Sequence, residues 1–181
     1  MFRSTPGSML VIGLLALGLL AAGSGVWFQW QQTRRCLAFY GTRATEQISK
    51  SPFVELWQLK PLSGGRYTGR LEAVLVEDIT EAKGLVHLRR GLVEDANFQW
   101  VEKGNTERAP LADSAWDLAL VFFDSKQKNE PERTVVVIDF GENSQKANLT
   151  VVGRPGRVAL GKMGKGLKTW VESTAKWVGS N

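Results

Sequence analysis

Met9 to Ala22 is a run of fourteen residues without one polar side chain, holding six Leu together with Val11 and Ile12. Each central Leu, Ile or Val favours membrane insertion by about 0.3–0.6 kcal/mol, so these residues together contribute roughly 3–5 kcal/mol. Alone, the run has the length of a signal h-region, about 7–15 residues. Continued through "GSGVWFQW" to Trp30 it covers residues 9–30, enough to cross a bilayer, which takes about 20 residues. Leu14, Leu15, Leu19 and Leu20 then lie in the hydrocarbon. Trp27, Phe28 and Trp30 sit at headgroup level, with Arg34 and Arg35 beyond them in water.

Two fates are open to such a segment. "AAG" (Ala21 to Gly23) offers small residues to a signal peptidase, although it is not the preferred A-x-A. No lipobox is present, because Cys36 follows Thr-Arg-Arg. An aromatic belt serves no purpose in a segment that is removed, so the expectation is a retained signal-anchor, single-pass, in the cell membrane. The flanking charges pull in both directions. Arg34, Arg35 and Arg43 precede the first acid, Glu46, and by the positive-inside rule hold the domain in the cytoplasm. A short, mildly basic start before a Leu-rich run is also how exported proteins begin, and export to the bacterial envelope is the orientation expected here.

Beyond the anchor and its flank lie about 145 residues, enough to bury roughly two-thirds of the unfolded surface in one core without disulfides. The single Cys36 forms no internal bridge. The net charge of +5 is local: six of 23 basic but one of 18 acidic residues fall at or after Arg154. A basic excess confined to one end argues against a nucleic-acid surface, which would run along a groove or stripe.

Pattern and punctuation divide this part into elements. "RRCLAFYGTRATEQISK" continues as a juxtamembrane helix or linker and stops at Ser51-Pro52. "FVELWQLK" alternates as a strand and pairs across "PLSGG" with "RYTGRLEAVLVED". "DITE" has capping-box spacing, and a helix is expected from Asp78 to about Phe98, with Ala82, Leu85, Val86, Leu92, Val93 and Ala96 on its apolar face. Its echo "GLVHLRR–GLVEDAN" stacks Gly84 over Gly91, a pattern fit for close approach to a sheet. "WDLALVFFD", "RTVVVIDF" and "KANLTVV" read as three further strands. The last segment puts Met163, Leu167, Trp170, Val171, Thr174, Trp177 and Val178 on one stripe of an amphipathic helix. The expected fold class is therefore α+β: an N-terminal transmembrane helix, then a two-layer domain in the order β-β-α-β-β-β-α. Its sheet has five mostly antiparallel strands, with two helices on one face. Residues 1–8 form a short tail, 9–30 the anchor, 31–51 the juxtamembrane segment, 52–178 the domain and 179–181 a second tail.

Chemistry-bearing motifs are few. "GRVALGKM" approaches the phosphate loop but ends in Met163, which has no hydroxyl for Mg²⁺. His87 is the only histidine and falls off the apolar stripe. One His and one Cys supply neither a zinc set nor a catalytic triad, so no metal and no cofactor is expected. Glu77 with Asp78, Glu94 with Asp95, and Asp124 with Asp139 at strand ends are the carboxylate pairs available to a small enzyme. Lys162, Lys165, Lys168, Lys176 and Trp177 are the residues through which the last helix would touch anionic headgroups or a partner. "NLT" at Asn148 is a glycosylation sequon set inside a strand.

"ELWQLKP", the unit "RYTGRLEAVLVEDITEAKGLVHLRRGLVED", the strands "WDLALVFFD" and "VVVIDFG", and the closing helix together cover Glu55 to Trp177. In these the chain resembles uncharacterised, membrane-anchored small proteins of planctomycete-type bacteria, a resemblance that implies no residue role. The expected function is a membrane-tethered, non-enzymatic domain that binds a membrane or envelope protein or a peptide through a sheet edge or exposed face. The bilayer itself is the other partner. Lipid binding through the last helix, and an enzyme using strand-end carboxylates, are the alternatives.

Overall fold

A computed structural model of the chain describes residues 6–59, 72–100, 116–125, 132–141 and 147–175. The apolar run becomes α1, Pro6–Tyr40, a single helix of 35 residues. At 1.5 Å per residue it is about 52 Å long, well beyond what a bilayer requires. The helix is long and apolar enough to cross a membrane. Ser24, the polar residue in mid-helix, returns its hydroxyl proton to the Leu20 carbonyl at 2.8 Å and leaves no donor unmet.

The chain turns at Gly41, whose φ of 77° and ψ of 161° lie in a region essentially closed to other residues. A side chain there would also run into the Arg154 guanidinium. Gly41→Ala is accordingly expected to destabilise the full chain by about 1–3 kcal/mol in a denaturation series in detergent. An unchanged midpoint would mean that the turn adapts at no cost. Helix α2, Thr42–Lys50, comes next and stops at Ser51 before Pro52, where the sequence ends it.

Seven strands form one antiparallel sheet: β1 Phe53–Leu59, β2 Ala73–Asp78, β3 Phe98–Gln99, β4 Leu118–Phe123, β5 Arg133–Asp139, β6 Asn148–Val151 and β7 Val158–Leu160. Their order across the sheet is β2-β1-β4-β5-β6-β7-β3. Each of the five expected strands has a counterpart, the second over Ala73–Asp78 alone since residues 60–71 lie outside the described ones, and among the described residues there are two more that the sequence does not predict. These are β3 and β7, a two-residue and a three-residue strand that pair with each other as Phe98 with Leu160. They close the far edge of the sheet, and β7 occupies the middle of "GRVALGKM", so that stretch is a strand and cradles nothing.

The helices differ as well. Asp78 does not cap a helix; its Oδ1 accepts the Thr80 N–H at 3.0 Å, two residues on, in an Asx turn. Helix α3 starts only after Gly84, which sits at φ 85°, and runs Leu85–Val93. It ends where the Asn97 side-chain amide donates to the Gly91 carbonyl at 3.0 Å, and a 3-10 turn, Asp95–Asn97, leads into β3. Leu85, Leu88 and Leu92 point inward, whereas Val86, expected on the apolar face, is 76% exposed. The last helix, α4, covers Met163–Thr174 with Leu167 and Val171 buried, and Ala175 turns extended. Gly84 and Gly91 face α4 rather than the sheet: the Trp170 ring closes on the first and the Met163 side chain on the second.

Strand alternation sorts the core into two layers. Val54, Leu56, Leu120, Phe122, Val136, Ile138 and Leu149 face the helices, joined by Leu92, Leu167 and Val171. Ala119, Val121, Phe123, Val135 and Val137 form a second cluster on the opposite face, with Trp57 half-buried beside them. The helix-side cluster begins at Cys36 and includes Tyr40, Ala44 and Ile48. The end of α1 and all of α2 are thus built into the core of the domain.

Candidate functional surfaces and the anchor junction

Leu14, Leu15, Leu19 and Leu20 stand fully out from the helix, and no part of the apolar window is buried by protein. Trp27 and Trp30 pack ring to ring at 5.5 Å, and Arg34 lies over the Trp30 ring at 5.1 Å. A cation stacked on an aromatic face gains about 0.5–1 kcal/mol at an exposed site and keeps that ring next to water.

One turn beyond Trp30, the domain takes hold of the helix. Asp95, in the 3-10 turn, accepts the Arg35 backbone N–H on Oδ2 at 2.8 Å and the Cys36 N–H on Oδ1 at 2.7 Å. A carboxylate taking two successive N–H groups is the geometry of a helix N-cap, here applied inside a continuous helix. The Trp100 indole N–H donates to the Asp95 carbonyl at 2.8 Å, fixing the turn that carries the cap. Cys36 and Tyr40 complete the grip by burial, each 0% exposed. The sequence offers Asp95 only as half of a carboxylate pair with Glu94 and not as a partner of α1, although the spacing Cys36, Tyr40, Ala44, Ile48 is a helical period that signals a buried face.

The candidate carboxylates are all engaged structurally. Asp124 accepts from the Ser51 hydroxyl at 3.0 Å and from the Gln47 amide at 3.3 Å, at the end of β4 where α2 packs. Asp139 accepts from Arg157 at 3.0 Å and from the Gly141 N–H at 2.7 Å. Phe123 pairs with Arg133 and Leu118 with Ile138, so the two aspartates sit at opposite ends of the β4–β5 pair. With about 3.3 Å per residue, roughly 20 Å separates them, too far for joint acid–base work. Glu94 is bound by Arg90 at 2.6 Å. His87 lines a groove between α3 and α4, with Lys162 and Trp170 on the far wall. Among the described residues, no three His, Cys, Asp or Glu gather as a metal site would require.

Lys162 lies on the α3 groove, Lys165 faces solvent, and Lys168 sits close enough to Asp117 to favour its charge. Lys176 and Trp177 lie outside the described residues.

Asp117, just before β4, accepts the Phe140 N–H on Oδ2 at 2.7 Å. Burial nonetheless pushes its carboxyl above the ordinary 3.8, with Asp139 adding to the shift and the Phe140 bond and Lys168 opposing it. Below that ordinary value the group is neutral in folded and unfolded chains alike and costs nothing. As pH rises past it, the unfolded chain ionises first and folding loses stability. Asp117→Asn keeps an oxygen for Phe140 and removes the charge. Its melting temperature is expected to match the parent at about pH 3 and to equal or exceed it at neutral pH. A variant less stable at neutral pH than at acid pH, relative to the parent, would reverse this reading.

At the other side of the sheet, β2 is an edge. It pairs with β1, from Glu55 opposite Asp78 to Leu59 opposite Ala73, and among the described residues no strand lies beyond it. Val74, Leu75 and Val76 are all exposed. Natural edges are usually blunted by charge, proline or a covering element. This one carries three successive apolar side chains. No family model, no curated protein and no solved structure matches the chain.

Proposed function

We propose that the protein is a single-pass, membrane-tethered interaction domain that receives an extended segment of a membrane or envelope protein along β2, with the domain on the outer side of the membrane. The observation that carries this reading is the exposed run Val74, Leu75 and Val76 on the edge of the sheet. An added strand would take its main-chain hydrogen bonds from β2 and its specificity from alternate side chains. The burial of Cys36 and Tyr40 in the core of the domain supports the same reading, because with α1 in a bilayer it would hold this edge near a fixed height. The engagement of Asp124 and Asp139 in separate structural roles supports a binding rather than a catalytic task.

The test is a photo-crosslinking residue at Leu75 in the full-length, C-terminally tagged chain, expressed in a bacterial host. Membranes are washed in alkaline carbonate, irradiated, and the peptide joined to position 75 is read by mass spectrometry. The expected result is one discrete peptide, reduced at least tenfold when Val74 and Val76 are both changed to Lys. A full-length mass in the washed pellet with the same adducts at Val152 as at Leu75 would remove the β2 edge as the binding surface. A shortened chain in the soluble fraction would remove the tether.

A further inference from the structure

Beyond α1 itself, a second place meets the bilayer. We infer that the cleft between the interfacial turns of α1 and the C-terminal turn of α3 seats the headgroup of a phospholipid. This rests on the reading that α1 spans the membrane with Trp30 at headgroup level.

The cleft has a volume of about 460 Å³ and is walled by Val26, Trp30 and Thr33 on α1, by Arg90 and Val93 on α3 and by Glu94 just after it. Small-molecule sites generally fall between about 300 and 1,000 Å³. Its position along α1 matters more than its size. Val26 lies one turn to the bilayer side of Trp30 and Thr33 nearly one turn to the water side, so the cleft straddles the headgroup layer. The domain is therefore not held off from the membrane by a spacer. The end of α3 stands at the same depth as the aromatic belt.

The chemistry of the walls is divided as a lipid is divided. Val26, Trp30 and Val93 present apolar surface for the glycerol end and first methylenes of a chain. Arg90 supplies the charge. Its Nε is spent on Glu94 at 2.6 Å, which orients the guanidinium and leaves the two terminal amino groups as a fork for phosphate oxygens. The Arg90 side chain is 77% exposed, and because the Glu94 carboxylate paired with it also walls the cleft, the net positive charge at this depth comes with Arg34. Arg34, stacked on Trp30, adds a second cation at this depth. A basic residue near an anionic membrane surface gains about 1 kcal/mol, and here the partner of the charge is in reach. The sequence points away from this site, since its basic excess lies beyond Arg154 and directs attention to α4.

The experiment uses the full chain reconstituted in phospholipid vesicles doped with a lipid bearing a photoreactive group on its headgroup. After irradiation and digestion, labelled peptides are mapped. The expected pattern is label on residues 29–33 and on residues 90–94. Arg90→Glu should lower the α3 label at least fivefold and leave the α1 label, whereas Arg90→Lys should keep most of both. Label on α1 with none on α3, or an α3 label that Arg90→Glu leaves unchanged, overturns the site. No label on either helix overturns the membrane reading of α1 and the site with it.

Discussion

Tyr40→Ala is expected to cost about 3–5 kcal/mol of stability, the range for deleting a large aromatic side chain from a close-packed core. Tyr40 is 0% exposed and sits in the helix-side cluster with Cys36, Ala44 and Ile48. Its ring meets Phe39 edge-on at 5.1 Å and Phe98 at 6.4 Å. These contacts join the end of α1 to β3, a strand 58 positions later in the chain. Both contacting rings are themselves in contact with Trp100, which limits their collapse into the space the ring leaves. Denaturation of the full chain in detergent, monitored by near-ultraviolet circular dichroism, measures the loss. A midpoint unmoved by Tyr40→Ala would show that residues 31–51 are a linker, and that the domain folds without them. Tyr40→Phe provides the contrast. The Tyr40 hydroxyl is buried and has no hydrogen-bond partner among the described residues. An unsatisfied buried polar group costs about 1–3 kcal/mol, so removing it should leave stability equal or raised.

Periodicity and punctuation carry the central part of the fold. β1, β4, β5 and β6 are long enough, and β-branched enough, for alternation to declare both their existence and their faces: Val54 and Leu56 fall on one side, Trp57 and Leu59 on the other. The elements that escape are those too short for alternation to show. β3 has two residues and β7 three, and each exists because the other lies opposite it, information no local window contains. The helix expected from Asp78 is too long for a related reason. Apolar spacing continues through Ala96, but Gly84 at φ 85° delays the start and the helix ends at Val93, where the Asn97 amide takes the Gly91 carbonyl. Both are tertiary decisions acting on a permissive sequence. A helix long and apolar enough to cross a membrane is plain from composition, whereas its attachment to the domain is not. Asp95 reads as a solvated helix end beside Glu94, and nothing in its neighbourhood announces that it bonds to residues sixty positions earlier. Likewise the basic C-terminal segment directs attention to Lys162, Lys165 and Lys168 and away from Arg90, which the fold brings to α1.

Asp95→Ala is the second substitution from which a large effect is expected, about 3 kcal/mol. A hydrogen bond to a charged group is worth roughly 1.5–3 kcal/mol, and this carboxylate accepts two, from the Arg35 and Cys36 N–H groups at 2.8 and 2.7 Å. The two contributions share one side chain and do not add in full. Asp95→Asn keeps one oxygen and puts an amide against the second N–H, so it should lose about half to all of the same amount. Thermal unfolding of the full chain in detergent separates the three proteins. Stability is one readout; the coupling of anchor to domain is the more telling one. With the cap gone, α1 remains a helix, since its ladder needs no help from the domain, but the turn bearing Asp95 no longer ties the end of α3 to it. The α3 label from headgroup-reactive lipid should then fall together with stability, while the α1 label persists. If stability falls and the α3 label stays, burial of Cys36 and Tyr40 alone sets the pose of the domain, and the carboxylate serves only to hold the fold. If both fall, one buried-side contact sixty residues from the anchor fixes where the sheet edge at Val74 to Val76 stands above the membrane, and a partner strand would meet it at one height.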